Sequence, residues 1–258
     1  MKLKTLKILT FSIFLVLIFS ITVCSTSWYI RKNSNHLQPE IPKELKDIEK
    51  YDAFWCDLKR TSIDDTDKII YLTFDAGYEN GNISKVLDIL KEENVKGNFF
   101  ILSNLICKNK DLVQRMIDDN HMVANHTSKH KDITKFEKIE EFKEELEKLE
   151  NLYENEFGCK MGKFFRPPEG KFNEQSLKWA KELGYKTVFW SFAYEDWDNS
   201  NQMNKQTAIR KIIDNIHNGE VMLLHPTSDT NVSILKELII ELKSQGFKFG
   251  DLKTLCSN

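Results

Sequence analysis

The stretch YLTFDAGYENG, Tyr71 to Gly81, ends an apolar, strand-like run on Asp75. A carboxylate at such an end can take a proton from water and so create a nucleophile. The next residue is Ala76, where a second acid would complete an obvious metal site. Other apolar runs also end on polar groups: Asn125 and His126, then Arg166, then Glu195 and Asp196, then His225. In a parallel α/β sheet the carboxyl ends of strands are where functional residues gather. Ordinary loop polarity would not place a titratable or cationic residue at five such ends.

Each motif has its own chemistry. HTSKH sets His126 and His130 four apart, so a helical turn would project both imidazoles to one side, where they could share a metal ion. In RPPEG, Pro167 keeps Arg166 extended, and Glu169 is the first following residue with a backbone N–H. A rigid loop aiming one N–H at a cavity suits an oxyanion, although a plain strand-to-loop turn has the same composition. In EDWD, Asp196 can fix either Arg166 or the His225 imidazole by a charged hydrogen bond. Trp197 beside it is either a core residue or a substrate wall. His225, in LLHP, is either a satisfied core histidine or a proton donor on the Asp75 rim.

The elements that hold these residues alternate. Strand-like runs are KIIYLTF, GNFFIL, HMVANH, KFFRP, KTVFWSF, VMLLH and FKFGDL. Between them lie helical patterns such as ISKVLDILKEEN, FEKIEEFKEELEKLENLYE and SILKELIIELKSQG, the last with one apolar stripe. Asn173 and Ser233 are candidate N-caps, and Gly184 and Gly246 candidate ends. Strand–helix alternation means parallel strands with helical crossovers. The fold class expected is α/β, a small or incomplete β/α barrel, with a doubly wound sheet as the alternative.

The 258-residue chain has a net charge of -2 and no long basic run beyond its N-terminus, which argues against nucleic acid as a partner. Lys2, Lys4 and Lys7 precede an apolar run from Ile8 to Val23, the layout of a secretory leader or a signal anchor. Residues 1–30 are therefore read as an export segment, cleaved or anchored. Residues 31–65 read as a stalk, and 66–258 as the catalytic domain. Of the five cysteines, Cys56, Cys107, Cys159 and Cys256 would face an oxidising exterior, as disulfides or as buried thiols.

In this order, TFDAG, HTSKH, RPPEG, EDW and LLH resemble the five motifs of the polysaccharide deacetylases of carbohydrate esterase family 4, the NodB homology domain. The resemblance covers about Lys68 to Leu255. TFDAGYENG and the preceding YDAFW are most similar to the delta-lactam-biosynthetic deacetylases of spore-formers, which act on muramic acid in cortex peptidoglycan.

The resemblance implies Asp75 as general base, His225 as general acid, Arg166 orienting Asp75, and Asp196 tuning its charged partners. It implies the Glu169 amide at the oxyanion, Trp197 and Leu223 around the acetyl methyl, and His126 and His130 as metal ligands, zinc first among candidates. Ala76 departs from the family's second aspartate, so the ion would be weakly held, with Glu79 as a substitute ligand to consider. The implied partners are peptidoglycan glycan strands, plus the membrane if the leader is retained, with the protein a monomer at the wall or spore cortex. Two alternatives stand beside this: a deacetylase of N-acetylglucosamine or chitin-like glycans, and a non-catalytic glycan-binding protein.

Overall fold

The computed structural model describes residues 43–61 and 66–256. The expected export segment lies outside the described residues. Among those described, no helix is long and apolar enough to cross a membrane.

Among the described residues, two short 3-10 turns (Lys43–Leu45 and Ile48–Tyr51) precede β1 (Ala53–Phe54), which is followed by β2 (Ile69–Ala76), α1 (Ile83–Glu92) and β3 (Asn98–Ile101). Two short helices, α2 (Ser103–Lys108) and α3 (Lys110–Asp118), lead to β4 (Met122–Asn125) and the long α4 (Ile139–Phe157). Then come β5 (Phe164–Phe165), α5 (Glu174–Glu182), β6 (Lys186–Val188), α6 (Lys205–Ile213) and β7 (Glu220–Leu224). The chain closes with α7 (Asp229–Ser244), β8 (Lys248–Phe249) and α8 (Leu252–Leu255).

The strands run β1-β6-β5-β4-β3-β2-β7, with β8 also on β2, and the ladders between them are parallel. Irregular chain links the two ends of this curved sheet. Asp57 N–H donates to Gly219 O at 2.8 Å, and Leu223 N–H donates to Phe192 O at 2.9 Å. The architecture is thus the incomplete β/α barrel expected, not a doubly wound sheet.

Period-two alternation sorts the strand side chains between two cores. From β2, Ile70, Leu72, Phe74 and Ala76 join the outer cluster with Val86, Leu90, Leu235 and Ile239 of α1 and α7. Tyr71 joins the inner cluster with Phe100, Ala124, Val188, Val221 and Leu223. The same alternation turns Asp75 toward the barrel interior, at the carboxyl end where the strand stops.

The expected stalk is overturned over residues 43–61. Leu45, Ile48, Ala53, Trp55 and Cys56 are buried in the inner cluster, and Ala53 pairs with Thr187 of β6. Asp57 accepts the Tyr71 hydroxyl at 2.8 Å beneath the barrel. Gly219 faces this segment so closely that a Cβ would stand 2.4 Å from Asp57 O. A two-residue strand has no periodicity to read, and its partners lie far along the chain.

Asn173 caps α5 as expected, accepting Ser176 N–H at 2.8 Å in a reciprocal capping box. Ser233 does not cap α7. Ser228 does, five residues earlier, because the polar first turn Asp229-Thr230-Asn231 precedes the apolar stripe. All four described cysteines are free thiols, with Cys56 and Cys256 buried.

Candidate active site

At the carboxyl ends of the strands a cavity of about 360 Å³ is lined by Asp75, His126, His130, Glu169, Trp197, Leu223 and His225, together with Tyr78, Trp190, Ala193 and Tyr194. A second concavity of about 250 Å³ shares Asp75, both histidines, Trp197 and His225, and extends to Gly77, Leu102 and Thr227. Arg166 and Asp196 stand behind the cavity wall, 0% and 1% exposed. All nine residues expected from the sequence therefore converge on one place.

Arg166 follows β5 directly and fans its guanidinium across three acceptors. Nη1 donates to Asp75 Oδ1 at 2.8 Å, Nε to Val188 O and Nη2 to Phe189 O, each at 3.0 Å. Its Cζ sits 4.2 Å above the Phe100 ring. A planar fork so fully engaged holds Asp75 in a single orientation. Burial raises the Asp75 carboxyl, and His126, Arg166 and His225 outweigh it, so the group lies below the ordinary carboxylate value. Near neutral pH the permanently charged Arg166, together with the proton held on His225, carries that effect, since His126 is then uncharged.

His126 donates from Nδ1 to Arg166 O at 2.9 Å, because a carbonyl can only accept. That fixes the tautomer and leaves a lone pair on Nε2, 3.5 Å from Asp75 Oδ2. The two acceptors can receive both protons of one water molecule. Burial holds the His126 imidazole down at about 4, against the pull of Asp75.

The chain between the two histidines is not the helical turn expected. Thr127 and His130 both have positive φ, 71° and 56°. These kinks bring the rings edge to face at 5.0 Å. Thr127 Oγ1 accepts His130 N–H at 2.8 Å, and Asn125 Oδ1 accepts Thr127 N–H at 2.8 Å. The buried Glu145 of α4 accepts Lys129 N–H at 2.6 Å from below. Such sparsely populated backbone persists only where its surroundings over-determine it.

Asp196 reaches His225, not Arg166. Its Oδ1 accepts His225 Nδ1–H at 2.7 Å and its Oδ2 accepts the His225 backbone N–H at 2.8 Å. The remaining nitrogen, Nε2, is the one left for the cavity. Burial lowers the imidazole, and Asp196, with help from Asp75, overcomes this, so His225 holds its proton above the ordinary histidine value. Trp197, 39% exposed, packs its ring edge to face on His225 at 6.0 Å.

In RPPEG the Gly170 and Lys171 N–H groups bond Pro167 O and Pro168 O inside the turn. Glu169 takes φ 56° beside the cavity, and its carboxylate turns away to Lys171 at 2.7 Å. Gly170 packs so tightly that a Cβ would meet the Trp190 ring at 2.6 Å.

The donors do not fit a resident Asp–His–His metal ion. Among the described residues no group of three or more His, Cys, Asp or Glu is arranged to hold one. Ala76 has no donor atom, and Asp75 is held by Arg166. Glu79 is corrected as a substitute, because its Oε2 accepts Ile83 N–H at 2.9 Å at the start of α1. Only the two imidazoles remain.

Sequence reading missed Tyr78, 49% exposed on the rim, and Tyr194 and Asn231 behind Asp196. Three asparagine amides, of Asn80, Asn82 and Asn199, converge on Thr227 O at 2.8–3.0 Å and tie together the loops bearing Tyr78 and Trp197. The run of asparagines was the available signal, but its meaning depends on loops far apart in sequence.

Asp75 held by Arg166 and His225 held by Asp196 thus face one cavity at the open end of a β/α barrel. Residues 62–188 match the Polysaccharide deacetylase family. The chain is 39% identical over 230 residues to the peptidoglycan-N-acetylmuramic acid deacetylase PdaA of Bacillus subtilis, covering 89% of this chain and 85% of that protein. The structure of PdaA, described as a family 4 carbohydrate esterase, superposes with a TM-score of 0.80 at 38% identity, over 90% of this chain and 97% of that one. A family 4 carbohydrate esterase from Bacillus anthracis gives 0.70 at 34% identity, over 90% and 96%. A peptidoglycan-N-acetylglucosamine deacetylase of Bacillus cereus is 32% identical, over 72% of this chain and 67% of that protein. The chain belongs to the polysaccharide deacetylase family.

Proposed function

We propose that the protein hydrolyses the N-acetyl group of N-acetylmuramic acid residues in peptidoglycan glycan strands. The observation that carries this reading is the pair of opposed devices on one cavity: Asp75 kept ionised by Arg166, and His225 kept protonated by Asp196. A base and an acid pushed apart in this way suit amide hydrolysis near neutral pH. The 39% identity to PdaA supports muramic acid as the sugar.

Asp75 takes a proton from a water molecule whose oxygen attacks the acetyl carbonyl carbon. The carbonyl π bond opens to an alkoxide, which the Glu169 N–H faces in this reading. The alkoxide collapses, the C–N bond breaks, and His225 delivers its proton to the departing amine. The products are acetate and the free 2-amine of the sugar. Trp197 and Leu223 wall the acetyl methyl. A zinc ion, if held on His126 and His130, would supply Lewis-acid polarisation of the carbonyl.

The amine product has a further consequence. The lactyl carboxylate on the neighbouring carbon can condense with it, once that carboxyl is activated, losing the elements of water to form a six-membered lactam with the proximity of an intramolecular reaction. An attached stem peptide would occupy that carboxylate, so the substrate is a strand already stripped of peptide. Such a substrate lies outside the cytoplasmic membrane, which supports an exported protein acting at the wall or spore cortex. A reporter active only outside the cytosol, fused after residue 258, tests the export.

The 32% identity to an N-acetylglucosamine deacetylase supports a second reading in which glucosamine is the target. Acetate release from peptide-free strands, compared with peptide-bearing strands and chitin oligomers, tests the proposal. Release from chitin oligomers alone would favour the second reading, and no release from any glycan would favour a binding protein.

A further inference from the structure

Behind the His225–Asp196 pair lies a layer of polar groups that the reaction does not touch. Asn231, 1% exposed, sits in the first turn of α7. Its Nδ2 donates both to Asp196 Oδ2 at 2.6 Å and to His225 O at 3.0 Å. Its Oδ1 accepts the hydroxyl of Tyr194, itself 1% exposed. The orientation of the amide is therefore set by its partners: two acceptors face the nitrogen and one donor faces the oxygen. The backbone is fixed as well, since Asn231 N–H donates to the Ser228 cap at 3.1 Å.

We propose that Asn231 is a positioning residue for the general acid, holding Asp196 and the His225 carbonyl in one frame, with Tyr194 setting the direction of its amide. The inference rests on the reading of His225 as the acid. Its physical basis is that Asp196 Oδ2 accepts from both His225 N–H and Asn231, which leaves Oδ1 aimed at His225 Nδ1. One carboxamide thus ties together the carboxylate, the backbone of the imidazole residue and the start of α7. Charge-assisted hydrogen bonds of this kind, buried and mutually supporting, are the ones whose loss is felt most.

Removing the amide does two things. Asp196 loses a restraint, so His225 is presented less accurately to the leaving amine. Its negative charge is also shared with one donor fewer, so it pulls harder on the His225 proton. The other groups facing His225 are Asp75 and Arg166, with His126, His130 and Trp197 in the same cavity, and the substitution leaves all of them in place.

The test is the pH dependence of acetate release by the full domain, with melting temperature measured alongside. Asn231→Leu is expected to lower kcat by about 10- to 100-fold with little change in KM, and to move the alkaline limb to higher pH. Tyr194→Phe keeps the buried ring and frees the amide to turn, so it should give a smaller loss of kcat and a limb shift of the same sign. If Asn231→Leu does not fold, Tyr194→Phe carries the test alone. A wild-type limb and kcat in a folded variant would overturn the proposal, as would a loss of kcat that follows melting temperature with no movement of the limb. A wild-type protein inactive on every acetylated glycan would instead overturn the reading of His225 itself.

Discussion

Arg166 Nη1 lies 2.8 Å from Asp75 Oδ1, with the guanidinium wholly buried. The pair spans β2 and the end of β5, so Asp75 is oriented by a residue 91 positions away. Breaking a buried pair on one side leaves an uncompensated charge and costs about 3–5 kcal/mol. Arg166→Lys keeps the charge but loses the fork to Val188 O and Phe189 O. It is expected to lower kcat and to move the acid limb of the pH profile upward, because Asp75 loses its oriented partner. Steady-state rates across pH check this, and an unmoved acid limb would contradict it.

Asp75→Asn preserves shape and cannot accept a proton from water. The expected loss in kcat is about 10²–10⁴-fold with the fold intact. Circular dichroism and acetate release on the same sample check it. Activity within a fewfold of wild type would remove Asp75 from the base role.

Tyr78 and Trp197 stand exposed on opposite loops of the cavity rim, tied together through Thr227. Aromatic faces of this kind suit the apolar face of a sugar ring. Tyr78→Ala is expected to raise KM by about tenfold while leaving kcat nearly unchanged, the pattern of lost uniform binding. A fall in kcat at constant KM would place Tyr78 in the chemistry instead.

Protonation should also weaken the fold. His121 and His126 are both lowered by burial to about 4 from 6.5. Below about 6.5 the unfolded chain takes up these protons and the folded chain does not, until pH nears 4. Their contribution is therefore complete above about 6.5 and lost as pH falls toward 4, on the order of 3 kcal/mol for the fully buried His126. Urea midpoints at pH 7 and pH 5 measure it. A midpoint that does not fall would contradict this.

With two imidazoles and no third protein ligand among the described residues, divalent metal should be held loosely. After dialysis against chelator the protein is expected to retain well under one equivalent of zinc by elemental analysis. Stoichiometric zinc after that treatment would mean that a ligand lies outside the set described.

Much of this site was legible in the sequence because strand ends concentrate chemistry. Asp75, His126, Arg166 and His225 each close an apolar run, and the strands place them on one rim. Asp196 was equally visible, but its choice of His225 over Arg166 depends on how the irregular chain after β6 meets β7. The packing of Trp55 and Cys56 into the barrel was not legible, since β1 has two residues and its partners are over 100 positions away. Asn231 was hidden for a related reason. It lies in a polar first turn that carries no apolar stripe, and only the folded chain sets it against Asp196.

The central claim is that the acetyl group leaves the muramic acid nitrogen. Mass spectrometry of digested, peptide-free strands after treatment with the protein tests it most directly. The account predicts muramic residues without their acetyl group, as free amine or as lactam, beside intact N-acetylglucosamine. Glucosamine deacetylated next to fully acetylated muramic acid would contradict it.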